Sequence, residues 1–195
     1  MSGSTRACVA AIASVLLMLS VLGSPALARD PHQRVVEVAD RCDPETFNAA
    51  GIPCDPSSSR GTVTLDRLFE RLAKDPAKVL RQRKARGWAF LPRELELREG
   101  DSLLAENVGG EFHTFTDVTE TGFGGGCVPE LNAIFGLSPL PQCADGNGNG
   151  VPDGFEGGAA LLPGGSTELS LDRGRFLFQC LIHPWMRSTV RVRAH

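Results

Sequence analysis

Hydrophobic and polar positions change period along this chain, and the changes divide it. Between Thr64 and Arg86, apolar residues recur at Leu65, Leu68, Phe69, Leu72, Val79 and Leu80. That spacing places them on one helical face, and Asp75-Pro76 interrupts it as an N-cap followed by a first-turn proline. The pattern predicts two short amphipathic helices. After Gly87 the period becomes two: Leu95 and Leu97 alternate with Glu94, Glu96 and Arg98, and Gly100-Asp101 marks a turn. Leu169 and Leu171 alternate in the same way. After the Asp172-Arg173-Gly174 turn, Phe176, Phe178 and Cys180 share one parity, which points Cys180 inward. Val190, Val192 and Ala194 form a last strand with Arg191 and Arg193 on the opposite face. Two stretches lack a period. Residues 29–61 hold Pro, Ser and Gly among few apolar positions, predicting an irregular arm. The segment 121–165 holds more than half of the 22 glycines and reads as a long inserted loop.

The first 28 residues carry one charge, Arg6, then an apolar run from Ala7 to Leu22 and the small residues Ala26 and Ala28. This is the layout of a cleaved secretory signal, so the chain is expected to be exported, to a periplasm or outside the cell. The divisions are then 1–28 signal, 29–86 arm and short helices, and 87–195 a β-domain with its insertion. With 42% hydrophobic and 22% charged residues among 195, the chain can bury a core, and a net charge of -3 leaves no footprint for nucleic acid. No second segment is long and apolar enough to span a bilayer.

Six cysteines are present, and Cys8 leaves with the signal. Of the five that stay, Cys42 with Cys54 and Cys127 with Cys143 are the simplest disulfides in an oxidising compartment, each enclosing a Pro- and Gly-containing loop; other connectivities stay open. An odd count leaves one thiol, and in the simplest scheme it is Cys180.

Cys180 opens the segment Cys180-Leu181-Ile182-His183-Pro184-Trp185-Met186, which sets a thiolate, an imidazole and a thioether at spacing C-x2-H-x2-M. One Cys with two His and a weak axial Met is the ligand set of a blue-copper electron-transfer site, because sulfur donors suit Cu(I) and imidazole suits both oxidation states. The second imidazole is expected from His113, in Glu111-Phe112-His113-Thr114-Phe115 after the Val108-Gly109-Gly110 turn. A catalytic Cys–His pair is the sharper rival, but it needs an exposed thiolate, whereas the parity of Cys180 is inward. Only His32, His113, His183 and His195 occur, too few for the oxygen-reducing cluster of a multicopper oxidase.

On these residues the chain resembles the cupredoxins, the small blue copper proteins of the plastocyanin and amicyanin kind. Phe90-x-Pro92 through Leu95, Leu97, Gly100-Asp101 and Asn107 to His113 looks like the first half of such a domain. Ser166 to His195 looks like the second half. The resemblance covers roughly 87–120 and 163–195 and leaves the arm, the helices and the insertion unexplained. It implies a mainly β fold, a Greek-key β-sandwich or barrel, here with a short N-terminal helical extension and a long Gly-rich insertion. It also implies one copper held by His113, Cys180, His183 and Met186, and a non-enzymatic role carrying single electrons between redox proteins. Donor and acceptor are then expected to dock on a monomer near the edge of His183 and Trp185, although Trp185 packing against its own loop is an equal reading. Two residues depart from the family: Phe112 stands where many members have Pro, and Thr114 where many have the Asn that ties the two ligand segments together. The main alternative is a copper-binding protein for storage, delivery or sensing.

Inside the insertion, Asp145, Asn147, Asn149, Asp153 and Glu156 fall at positions 1, 3, 5, 9 and 12 of a calcium loop. Gly150 stands at the sharp turn, and Val151 would give its carbonyl. The order resembles EF-hand, dockerin and thrombospondin type 3 loops, and it implies a structural Ca2+ beside the Cys127–Cys143 pair. The same Asp-Gly-Asn-Gly string also reads as turns alone. A β-domain that presents this loop to another protein is a third functional class.

Overall fold

The computed structural model describes residues 32–194, so the expected signal lies outside the described residues. The first element is a strand, β1 (Gln33–Ala39), followed by α1 (Pro44–Ala49), α2 (Leu65–Lys74) and α3 (Pro76–Gln82). Next come β2 (Lys84–Ala85), β3 (Trp88–Leu91), β4 (Glu94–Arg98), β5 (Ser102–Asn107), β6 (His113–Thr114) and β7 (Thr116–Asp117). The insertion holds α4 (Pro129–Phe135) and two single 3-10 turns, and β8 (Ala160–Leu161), β9 (Ser166–Ser170), β10 (Gly174–Gln179) and β11 (Arg187–Arg193) complete the chain.

Two mixed sheets make the body, one of five strands in the order β2-β3-β1-β5-β9 and one of four in the order β4-β11-β10-β7. A two-stranded piece joins β6 to β8. Within the sheets β1 runs parallel to β5, and β11 runs parallel to β4. The core lies between the two sheets: Val36, Val38, Trp88, Phe90, Leu103 and Ala105 from the first meet Leu95, Leu97, Phe178, Val190 and Val192 from the second. Phe115 sits at the middle of this layer, stacked on Phe178 with centroids 4.2 Å apart and edge-on to Phe90 at 5.1 Å. The fold is mainly β, a sandwich of two sheets with few helices, as the period-two segments predict.

The helices near Thr64 and Asp75 form where the sequence places them. The Thr64 and Asp75 side chains accept from the amides of Arg67 and Lys78, and Pro76 occupies the first turn of α3. Two expectations are corrected. Residues 29–61 are not an irregular arm throughout, because Gln33–Ala39 forms a strand between β3 and β5, with Val36 and Val38 fully buried. Nor is the insertion without regular structure, since Pro129 starts α4 and Gly136, at φ 61°, ends it in the left-handed conformation a glycine adopts without strain. Both expected disulfides are present, Cys42–Cys54 and Cys127–Cys143, and Cys180 is the free cysteine among the described residues.

The inserted segment explains why β10 is buried on both faces at its end. Leu177 and Leu181 leave the main core and pack with Val118 and Leu140, against Phe123, Phe155 and the second disulfide. Among the described residues, no helix is long and apolar enough to cross a membrane.

Candidate metal centre

Cys180 follows β10 directly, and the next six residues fold back into β11. The loop is closed by its own main chain: the Cys180 amide donates to the Met186 carbonyl at 3.0 Å, and the Met186 amide donates to the His183 carbonyl at 2.8 Å. His113 arrives from the other side on β6. Its neighbour Thr114 donates an amide to Cys180 Sγ at 3.5 Å.

Three donors converge. Cys180 Sγ lies 3.8 Å from Nδ1 of His113 and 3.8 Å from Nδ1 of His183, and the two Nδ1 atoms are 3.2 Å apart. A first-row ion about 2.0 Å from each imidazole nitrogen and about 2.3 Å from the sulfur would, in a trigonal plane, set N···S at about 3.7 Å and N···N at about 3.5 Å. The residues therefore fit a metal at their centre. Their burial also fits, with Cys180 and His113 at 0% exposure and His183 at 5%. Met186 is likewise fully buried in the same loop.

The electrostatics favour a thiolate. Burial works against charge on Cys180, but its contacts with His113 and His183 outweigh it and hold the thiol well below its ordinary 9.0. Burial lowers His113 too, and hydrogen bonding to Asp40 and to Cys180 overrides it, raising the imidazole from 6.5 to about 10. Metal binding must then displace a proton from Nδ1.

Two carboxylates behind the imidazoles have no counterpart in the sequence reading. Asp40 Oδ2 lies 3.0 Å from His113 Nε2. Glu111 Oε2 lies 3.8 Å from His183 Nε2 and accepts the indole N–H of Trp88. Burial pushes the Glu111 carboxyl up, against the pull of His183 and His113. Glu111 two positions before His113 was the one visible sign of this layer. Asp40 stands 73 positions from its partner, and local spacing could not reveal it.

Trp185 is not a surface residue. It is fully buried, with its ring 5.2 Å from His183 and 5.6 Å from Phe135 of α4, and its Nε1 has no hydrogen-bond partner among the described residues. Packing against its own loop, one of the two expectations for this residue, is observed. A concavity of about 330 Å3 opens over His183, Trp185 and Glu111, walled by Phe47, Leu65, Leu68 and Phe69 of the helical extension and by Leu131 of α4.

The insertion holds the ligand loop from outside. The Cys127 amide donates to the Leu181 carbonyl, Gln179 bonds both ways with Gly124, and Arg187 Nη2 donates to the Gly124 carbonyl at 2.9 Å. In the calcium-loop stretch, Asp145 accepts from the amides of Asn149 and Gly150, Asp153 from Gly146, and Glu156 from the side chains of Asn147 and Asn149. Val151 donates its amide to Asn149 Oδ1. Asp145, Asp153 and Glu156 do not form a group whose carboxylate oxygens all lie within 4.8 Å of one another, and the calcium expectation rests on sequence order.

The sequence matches no family model and no curated protein. Among solved structures it is similar to a purple cupredoxin from Nitrosopumilus maritimus, at 18% identity over 54% of this chain and 83% of that one, with a TM-score of 0.34. It is similar also to oxidised plastocyanin from Dryopteris crassirhizoma, at 21% identity over 54% and 89% of the two chains, TM-score 0.31. A copper-containing nitrite reductase from Thermus scotoductus matches at 18% identity over 54% of this chain and 20% of the enzyme, TM-score 0.31. At these TM-scores the likenesses assign neither a metal nor a reaction to this chain.

Proposed function

We propose that this chain is an exported, mononuclear type 1 copper protein that carries single electrons between redox partners. The observation that carries the reading is the buried triangle of His113 Nδ1, Cys180 Sγ and His183 Nδ1. Met186, at the end of the same closed loop, would be the weak fourth ligand. Copper bound there supplies a one-electron couple between Cu(I) and Cu(II). The chain's own residues do the rest: Cys180 is held as thiolate, the imidazoles come from two separately anchored segments, and the core and insertion exclude water. Such a pre-formed site keeps its geometry nearly constant as the charge changes, so little reorganisation opposes transfer.

Burial supports carriage over storage or delivery. A site that hands on its metal needs exchangeable ligands, whereas His113 and Cys180 have no exposed surface. The edge of His183 beneath the apolar concavity is where an electron would enter or leave, and the partner surface would be an apolar projection fitting the walls formed by Phe47, Leu65, Leu68 and Phe69. Two disulfides suit an oxidising compartment, in keeping with the signal-like first 28 residues.

Voltammetry of the protein loaded with one copper per chain tests the reading. A reversible one-electron wave that persists over repeated cycles is expected. Copper released on reduction, or no wave with copper bound, would transfer the assignment to storage or delivery.

A further inference from the structure

Asp40, the residue that follows β1, lies behind His113 on the side away from the thiol. Its Oδ1 accepts the amides of Cys42 at 3.0 Å and Gly110 at 3.1 Å. Its Oδ2 accepts the amide of Glu111 at 3.0 Å and faces His113 Nε2 at 3.0 Å. Both side chains are completely buried. The socket is built for a carboxylate: a Cβ at Gly109 would run into the Asp40 side chain, so only glycine lets the 108–110 turn close over it.

Asp40, Glu111 and His113 also form a group able to hold a metal. An ion there, however, would have to displace backbone amides that have no other partner, in a place closed to water. Orientation is the role that fits. Three of the four donors facing Asp40 are backbone N–H groups, which can only donate, so the carboxylate can only accept from the fourth. The ring proton of a singly protonated His113 is thereby placed on Nε2, and the Nδ1 lone pair is turned toward Cys180. Carboxylate partners of this kind fix the tautomer and orientation of metal-binding imidazoles.

We propose that Asp40 is a positioning residue of the metal centre, fixing the tautomer and ring orientation of His113, and that strand Gln33–Ala39 with its Cys42–Cys54 anchor is therefore part of the site. This assignment rests on the copper reading above and extends it to a segment outside the ligand motif.

The test compares wild type with Asp40→Asn in two measurements: Cu(II) affinity by chelator competition, and 1H–15N spectra of the imidazoles in the diamagnetic Cu(I) form. Wild type is expected to bind one copper and to show a His113 Nε2 proton protected from solvent exchange. Asp40→Asn is expected to bind copper about 10- to 100-fold more weakly and to lose that protection. Equal affinity in the variant, a freely exchanging His113 Nε2 proton in wild type, or a second copper at Asp40 would each overturn the proposal. The exchange measurement on wild type needs no variant and decides the matter if Asp40→Asn fails to fold. A wild type that takes up no copper overturns the underlying reading as well, whereas one that binds copper while the variant is indistinguishable overturns the role of Asp40 alone.

Discussion

The Thr114 hydroxyl accepts the amide proton of Leu181 at 2.9 Å, a buried bond that ties β6 to the loop carrying Cys180 and His183. This is the tie that the family resemblance assigns to an asparagine, here made by a shorter side chain. The Thr116 hydroxyl lies 3.0 Å from that of Thr114 and donates to the Gly154 carbonyl at 2.6 Å, so the tie reaches the insertion. Thr114→Val keeps the shape but leaves the Leu181 amide buried without an acceptor, at a cost of about 1–3 kcal/mol. Thr114→Ser should lose less than half as much. Urea denaturation of the two variants checks this, and equal losses would show that the methyl group, not the hydroxyl, matters.

Gly154 is one of the points where the insertion packs against the ligand loop. A Cβ there would meet Leu181 Cδ1 and approach the Gln142 carbonyl at 3.0 Å, and Leu181 is fully buried. Gly154→Ala is therefore expected to destabilise the protein by about 1–3 kcal/mol through overpacking. It should also move the ligand loop, read as a shift in any Cys180-to-metal charge-transfer band. An unchanged melting temperature would mean that the insertion yields freely and does not clasp the site.

The first disulfide anchors the segment behind His113. Cys42 supplies an amide to Asp40 and bonds to Cys54 across a separation of 12 residues. Replacing both by alanine should lower stability by about 3 kcal/mol, the loop-closure value for that length. Copper affinity should fall with it. A loss below about 1 kcal/mol with affinity unchanged would separate the anchor from the site.

How much of this was visible beforehand follows the range of the interactions involved. The ligand loop was legible because Cys180, His183 and Met186 are contiguous. Strand β4 was legible because alternate residues are buried, β10 and β11 because Phe176, Phe178, Val190 and Val192 keep a period of two in the sequence, and the helix break because Asp75 and Pro76 act locally. β1 was missed because Val36 and Val38 count as strand signal only once β3 and β5 flank them. Asp40 was missed because its partner lies across the fold. Trp185 was open because its burial depends on Phe135 of α4, a short helix whose glycine-rich surroundings hide it. The calcium-loop order was legible, yet in the structure Asn147 and Asn149 donate to Glu156.

Four buried groups of the site, Asp40, His113, Cys180 and Glu111, contribute to the pH dependence of apo-protein stability. Asp40 is held at about 2 against an ordinary 3.8: burial raises it, and the His113 and backbone hydrogen bonds outweigh that. Its contribution, about 2 kcal/mol, is full above about pH 4 and is lost as pH falls through 2. His113 is raised from 6.5 to about 10, so its contribution is full below 6.5 and is lost as pH rises toward 10. Cys180 is lowered from 9.0, so its contribution is full above 9 and is lost as pH falls. Between pH 6.5 and 9 these two slopes have opposite signs and offset one another. Glu111, pushed up by burial, opposes any rise above about pH 4.5, so the expected losses of stability are at the two ends: as pH falls from 4 through 2, and as it rises from 9 toward 10. Urea midpoints at pH 2, 3, 5, 8.5 and 10 would reveal both losses, and a midpoint at pH 10 no lower than at 8.5 would show that the His113 imidazole is not held protonated by Asp40 and Cys180.

The central claim is a thiolate–copper bond at Cys180. Visible absorption of the purified protein after adding one equivalent of Cu(II), beside a Cys180→Ser variant, tests it most directly. Intense blue, green or purple colour in the wild type, absent in the variant, is the predicted result. A colourless wild type with copper bound, or colour that survives Cys180→Ser, would contradict it.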